Sequence, residues 1–282
     1  MPNQLKNHLR WKNLPIRILK AKHGPAQNNS LHSHDDFYEL VLVEQGKGFH
    51  RINKQNIPIE AGNIFCIPPG IPHNYNSNTI FTIYNVLIGK PFLDYFQHDL
   101  SGTDIYHLFF GMPYRHKNHF ECVHLTNQHF LQCILILEEI IQEEQLNHPG
   151  SRTAVLSNCM QLILLICRNG KIRSDDRVSM NICQISRVLA SLDEHFEKTW
   201  NLESMAKYAH TSISSFRQQF LAITGESPIQ YLLHLRLNKA RALLQLEQQN
   251  ISEISRACGF ASSNYFSRQF KRFFGFSPHY RK

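Results

Sequence analysis

ISEISRACGFASSNYFSRQFKRFFGFSPHY, residues Ile251 to Tyr280, reads as two short helices joined by a tight turn. Ile251, Ile254 and Cys258 fall on one face of the first helix. Gly259 ends it, because glycine tolerates the left-handed backbone of a helix C-terminus. Ser262 and Ser263 offer an N-cap for the second helix. There Phe266, Phe270 and Phe273 follow the i, i+4, i+7 spacing of an inward face. Ser263, Asn264, Ser267, Arg268, Lys271 and Arg272 are left outside. A second helix with hydrogen-bonding and cationic residues on its exposed face can enter a DNA major groove.

The same unit occurs earlier, as LESMAKYAHTSISSFRQQFLAITGESPIQY from Leu202 to Tyr231. Met205 matches Ile254, and Phe216 with Phe220 matches Phe266 with Phe270. The offset changes from 49 to 50 residues between those pairs, so the second turn is one residue longer. An internal repeat is stronger evidence than either motif alone. In the first copy Ser214, Arg217 and Gln218 take the outward positions. Between the copies, Ile229 to Glu247 lacks Gly and Pro and keeps a helical period through Leu232, Leu235, Ala240, Leu243 and Leu244. A rod of about 27 Å follows from the rise of about 1.5 Å per residue. That length suits two recognition helices near one DNA turn, about 34 Å, apart.

These residues resemble the AraC/XylS family of bacterial transcription regulators over roughly 184–282. The signature runs through Leu202, Met205-Ala206, Phe216, Phe220, Gly225, Ser227-Pro228, Tyr231, Arg236, Ala240-Arg241 and Leu243-Leu244. It continues with Ile254, Gly259-Phe260, Tyr265 to Arg268, Phe270-Lys271, Phe274-Gly275, Pro278 and Tyr280-Arg281. Ser255 stands where the family usually has Ala, and His210 where Gly is common. Within the family the chain is most similar to the L-rhamnose regulators, through His34 to Val41, Val43 to Gly48, Asn85 to Leu87, Leu192 to Phe196 and Gly259 to Asn264. Ser214, where those regulators tend to have Arg, points to a different operator.

Residues 199–282 hold eleven Lys/Arg against four Glu, a net +7, whereas 35–198 hold thirteen basic and eighteen acidic residues. Residues 1–34 carry six basic residues and no acidic one. The overall +8 is therefore concentrated on the repeat and the N-terminal arm, where it favours a polyanion. The seven cysteines are odd in number and scattered without a CxxC pair, which suggests reduced thiols rather than a disulfide frame or zinc ribbon. The longest apolar runs fall far short of about 20 residues, and the N-terminus has no apolar signal core, so no membrane role and a cytoplasmic location are expected.

Residues 1–30 read as a polar arm, extended at most around Ile16 to Leu19. β-rich runs follow at Phe37–Val43, Phe49–Ile52, Ile57–Ile59, Ile64–Ile67 and Thr79–Ile88, with turn residues between them. Many short strands argue for a barrel or sandwich. His32-x-His34-x4-Glu39-x6-Gly46, then Gly62-x5-Pro68-x-Gly70-x2-His73, resembles the paired motifs of the cupin barrel, in which the histidines and the glutamate converge inside. Imidazoles with one carboxylate are plausible ligands for iron, manganese or zinc. Gly24 lies too far ahead of His32, however, and Ser77 stands where the second motif usually has Asn. Sugar-responsive members of the family bind their effector in such a barrel without a metal. The resemblance thus implies that His32, His34, Glu39 and His73 line an effector pocket, with no metal or other cofactor. Hydrogen-bonding roles at a pocket rim are the plainer alternative. His107, His116, His119, His124 and His129 match no metal-site spacing and read as packed or solvated.

The expected fold class is α+β. Residues 1–125 form the arm and cupin-like barrel. A helical hairpin over 126–169, with a possible dimer contact, and a linker over 170–181 follow. Residues 182–282 form an all-α domain with helix-turn-helix motifs at about 202–225 and 251–275. The expected function is an effector-responsive, DNA-binding activator, with a sugar as effector. Double-stranded promoter DNA, RNA polymerase and a second copy are its partners. No G-x-S-x-G, P-loop or dinucleotide fingerprint is present, so no catalytic residue is expected. The competing reading is a metal-dependent cupin enzyme with an accessory helical domain.

Overall fold

The computed structural model describes residues 3–25, 30–52, 55–111, 122–172, 177–245 and 250–279. His116, His119, Glu247, Tyr280 and Arg281 lie outside them. The described chain divides into two compact units, Met1–Ser186 and Arg187–Lys282, with the division inside one helix.

Among the described residues of the first unit, runs of β-branched and aromatic residues form nine strands in two sheets. The larger is ordered β1 (Ile16–His23), β7 (Phe81–Gly89), β2 (Phe37–Gln45), β5 (Asn63–Ile67), β8 (Val123–His124) and β9 (Lys171–Ile172). The smaller is ordered β4 (Gln55–Glu60), β3 (Lys47–Ile52) and β6 (His73–Asn76). All the pairings are antiparallel. Val41, Val43, Phe65, Ile67, Phe81 and Ile83 of the large sheet pack on Ile52, Ile59 and Tyr75 of the small one. The expected barrel is thus two facing sheets that do not close among the described residues. At the β2–β3 turn Gly46 has φ +84, and a Cβ there would lie 2.6 Å from the Ile80 carbonyl oxygen, so only glycine fits.

The N-terminal segment is more than a partly extended arm. Ile16 to His23 pairs along its whole length with β7, burying Ile16 and Ile18. Between the sheets and the next helices lie α1 (Lys90–Leu100) and α2 (Asp104–Tyr106), which runs into a π turn over His107–Gly111. His107 is packed there, with Nε2 2.7 Å from the Ser101 carbonyl oxygen. The helices α3 (Asn127–Leu146) and α4 (Ser151–Asn169) then form an antiparallel hairpin. Lys20 joins that hairpin to the sheet. Its Nζ donates to Glu44 at 2.9 Å, Tyr84 at 2.7 Å and Glu138 of α3 at 2.7 Å. The polar stretch after α4 is not wholly a linker, because Lys171–Ile172 adds a strand to β8 and α5 (Arg177–Glu194) starts soon after.

The second unit holds the repeat as α6 (Leu202–Tyr208), α7 (Ile213–Thr224), α9 (Ile251–Ala257) and α10 (Ser263–Phe274), joined by α8 (Pro228–Gln245). Phe216, Phe220, Phe266 and Phe270 are fully buried. Burying such a side chain stabilises by about 1.5–3 kcal/mol. On α8, Leu237 rather than Leu235 is buried, beside Leu232 and Ala240. Phe273 is not inward as its spacing suggests. It is 40% exposed and stacks on His234 with ring centroids 4.4 Å apart, while Phe274 packs on Phe270.

Candidate nucleic-acid interface and effector site

The two helix-turn-helix units are built from the same local devices. α6 and α9 each begin at an asparagine cap. Asn201 Oδ1 accepts from the Ser204 amide at 2.7 Å, and Asn250 Oδ1 accepts from the Glu253 amide at 2.9 Å. The Ser204 hydroxyl and Glu253 carboxylate accept from the cap amides in return, which satisfies donors that a helix N-terminus leaves open. α7 and α10 start at Ser212 and Ser262, whose hydroxyls accept amides at 3.2 Å. They stop at Gly225 and Gly275, both left-handed. The intervening turns run over 209–212 and 258–262, so the second is one residue longer, as the repeat offset requires.

Arg236, on the face of α8, holds this unit together. Its Nε donates to the Phe196 carbonyl and its second guanidinium nitrogen to the Lys198 carbonyl, both at 2.7 Å. Lys239 pairs with Asp193 at 3.7 Å, and Arg241 lies over the Phe274 ring. The cations on α8 thus have structural contacts: Arg236 with backbone carbonyls, Lys239 with a carboxylate and Arg241 with a ring.

Each residue expected to meet DNA points away from the core. Ser214, Arg217, Gln218, Asn264, Arg268, Lys271 and Arg272 are exposed, and Ser263 and Ser267 are half-buried. Ser214 lies 3.2 Å from the Ser212 cap hydroxyl, and the Arg268 guanidinium sits over the Tyr265 ring. Lys271 and Arg272 occupy the last turn of α10, where cations also complement the helix dipole. Two exposed residues at the N-terminal ends, Ile213 and Tyr265, were not singled out by their chemistry. They are recognisable only once the caps at Ser212 and Ser262 fix where each helix begins.

In the first unit His32, His34, Glu39 and His73 come together. The segment before β2 is not a strand: His32 forms an isolated bridge to His73, and the His34 carbonyl accepts the Gly70 amide at 2.7 Å. Glu39 is on β2 and His73 opens β6, so the cluster spans both sheets. His34 Nε2 and His73 Nε2 each lie 3.5 Å from the same Glu39 oxygen. The His32 ring is 4.4 Å from that of His73. His34, Glu39 and His73 are buried and His32 half-buried. Burial opposes ionisation of Glu39, but the imidazoles of His34 and His73 outweigh it and hold the carboxyl well below its usual range. His50 was missed. The β3–β6 pairing sets it opposite Tyr75, and it stacks between Phe65 and Tyr75 with its ring 5.8 Å from that of His73. Burial first, then the neighbouring His73, pushes its pKa down to about 3. A groove of about 680 Å³ opens elsewhere in this unit, between Lys47–Phe49, Pro58–Glu60 and Ser77–Thr79.

Comparison with known proteins agrees with this division. The AraC-like ligand binding domain family matches residues 15–162, and a helix-turn-helix domain family matches 205–282. The chain is 31% identical over 249 residues to the HTH-type transcriptional activator RhaS of Escherichia fergusonii, covering 87% of this chain and 84% of that protein. It is 32% identical over 248 residues to RhaS of Enterobacter sp. strain 638, with the same coverage. The DNA-binding domain of AdpA, solved in complex with a target DNA, is 30% identical over 34% of this chain and 86% of its own, with a TM-score of 0.34. No helix among the described residues is long and apolar enough to cross a membrane. The two matched domains and the similarity over 87% of the chain place it in the AraC family of DNA-binding transcription regulators, and it is not an enzyme.

Proposed function

We propose that this protein activates transcription in the cytoplasm when a sugar occupies its first unit. The observation that carries the reading is the pair of equally capped helix-turn-helix units on one α8, each turning polar and cationic side chains outward. Residues 182–282 bind the promoter, with Arg217, Gln218, Asn264 and Arg268 on base edges and Lys271 and Arg272 on phosphates. Ser214, Ser263 and Ser267 add shorter polar contacts. The effector meets His32, His34, Glu39 and His73 within 1–125, and the hairpin over 126–169 contacts a second copy. RNA polymerase is the partner through which the bound dimer acts. The similarity to the L-rhamnose regulators and the relatives' description as activators support this direction of control. Effector binding shifts the population of DNA-competent arrangements by its differential affinity for them.

Thermal melts of the full chain against a panel of sugars test the effector half. A ligand at 100 times its dissociation constant stabilises by about 2.7 kcal/mol. The expected result is a raised midpoint with one sugar class, abolished in His34→Ala. A shift that survives this substitution moves the effector elsewhere in the unit.

A further inference from the structure

Each helix-turn-helix unit packs on α8 through its own apolar residues. In the first, Phe220 meets the Tyr231 ring edge-on, with centroids 5.6 Å apart. In the second, Phe266 and Phe270 pack with Ile254, Cys258, Leu237 and Ala240, and among the described residues this cluster takes none from 202–231. Separate cores hold each unit to α8 but do not tie one unit to the other. One side chain on α8 touches both. His234 Nδ1 lies 2.9 Å from Glu226 Oε2, and since a carboxylate oxygen accepts, the imidazole N–H donates. The same ring stacks on Phe273, with centroids 4.4 Å and planes 29° apart.

Both ends of this bridge are anchored. Glu226 follows Gly225, the stop of α7. Its amide donates to the Thr224 hydroxyl at 3.3 Å, and that hydroxyl lies 2.8 Å from the Phe220 carbonyl oxygen. Phe273 belongs to the last turn of α10, beside Lys271 and Arg272. The contacts therefore run from the end of one recognition helix to the end of the other. The repeat also breaks its own symmetry here. At the offset of 50 residues, Ile223 is the counterpart of Phe273. Ile223 is buried, whereas Phe273 is turned out of the core onto His234. The His234 and Glu226 side chains are 33% and 41% exposed, and a pair so open to water adds little to stability. What the bridge constrains is orientation.

We propose that His234, clasped between Glu226 and Phe273, is a positioning residue that sets the rotation between the two recognition helices, and so the spacing of the DNA segments that the chain accepts. The inference rests on the proposal that each unit reads one segment, and it adds what holds the two readers in phase. One base pair turns the duplex by about 35°, so readers fixed to each other reject a spacing that is wrong by one.

The test uses the full chain and a duplex that it selects from random DNA, with one base pair added or removed between the two enriched segments. The unaltered chain is expected to bind the altered duplexes about tenfold more weakly or worse, the loss when one reader misses its segment. His234→Ala narrows that difference by roughly threefold to tenfold, the range that a ring stack with one hydrogen bond supplies. Its melting midpoint, and its affinity for a duplex holding one segment alone, stay the same. Glu226→Ala and Phe273→Leu narrow the difference in part, and neither changes it further in the His234→Ala background. If His234→Ala fails to fold, Phe273→Leu decides, and no narrowing there overturns the clasp. A folded His234→Ala chain that discriminates as well as the unaltered one overturns the clasp and leaves the two readers standing. Equal weakening on the one-segment duplex also overturns it, since that marks a merely structural role. An unaltered chain indifferent to spacing overturns the two-reader proposal, and the clasp with it.

Discussion

At the scale of single residues, the two turns solve one geometric problem with different amino acids. Gly259 has φ +74, and a Cβ there would come within 2.4 Å of the Glu197 carbonyl oxygen. His210 takes the matching place in the first unit at φ +52, a strained conformation for a residue with a Cβ. Gly259→Ala should therefore cost about 1–3 kcal/mol. His210→Gly should leave stability unchanged or raise it by up to about 1 kcal/mol. Urea denaturation of the full chain measures both, and equal losses in the two variants contradict the account. The outward faces predict a second contrast. Arg217→Ala should relax preference at one or two base pairs, each good pair giving about 1–3 kcal/mol of discrimination. Lys271→Ala should weaken binding to all sequences and reduce the salt slope by about one. Selected sites that stay the same for Arg217→Ala, or change for Lys271→Ala, reverse those roles.

At the scale of elements, what was legible depended on how local the cause is. Both helix-turn-helix units could be read because capping, helix period and glycine stops are all set within a few residues. The outcome of Phe273 against Phe274 could not, since neighbouring positions near i+7 share a face, and His234 on α8 selects Phe273 for stacking. β1 was half hidden because Lys and Arg alternate with its apolar residues, and only pairing with β7 shows the full strand. His50 carries no motif at all. It joins the cluster through strand register, which spacing along the chain does not reveal. Burial of a histidine on β1, paired with β7, sets a pH dependence. His23 at the end of β1 is buried against Tyr75 and Phe81, and burial lowers its pKa below the ordinary value of 6.5. The unfolded chain then binds the proton more readily, so stability falls as pH drops below about 6.5. His32 and His50, also lowered, share this effect. His23→Phe keeps a ring in place and should lose less stability between pH 7.5 and 5.5 in thermal melts. An undiminished loss contradicts a neutral, buried His23.

At the scale of the whole molecule, one chain joins an acidic effector-binding region to a basic DNA-binding one. The net +7 of residues 199–282 favours non-specific attraction to a polyanion, and each copy of the repeat is proposed to read one DNA segment. α8 joins the two copies, and its 18 residues give a rod of about 27 Å against about 34 Å for one DNA turn. The double recognition unit is thus the central claim. Selection of binding sites from random duplex DNA by the full chain tests it most directly. The account predicts two enriched segments with centres about 10 base pairs apart, one losing definition in Arg217→Ala while the other stays. A single enriched segment, or no enrichment at low salt, contradicts it.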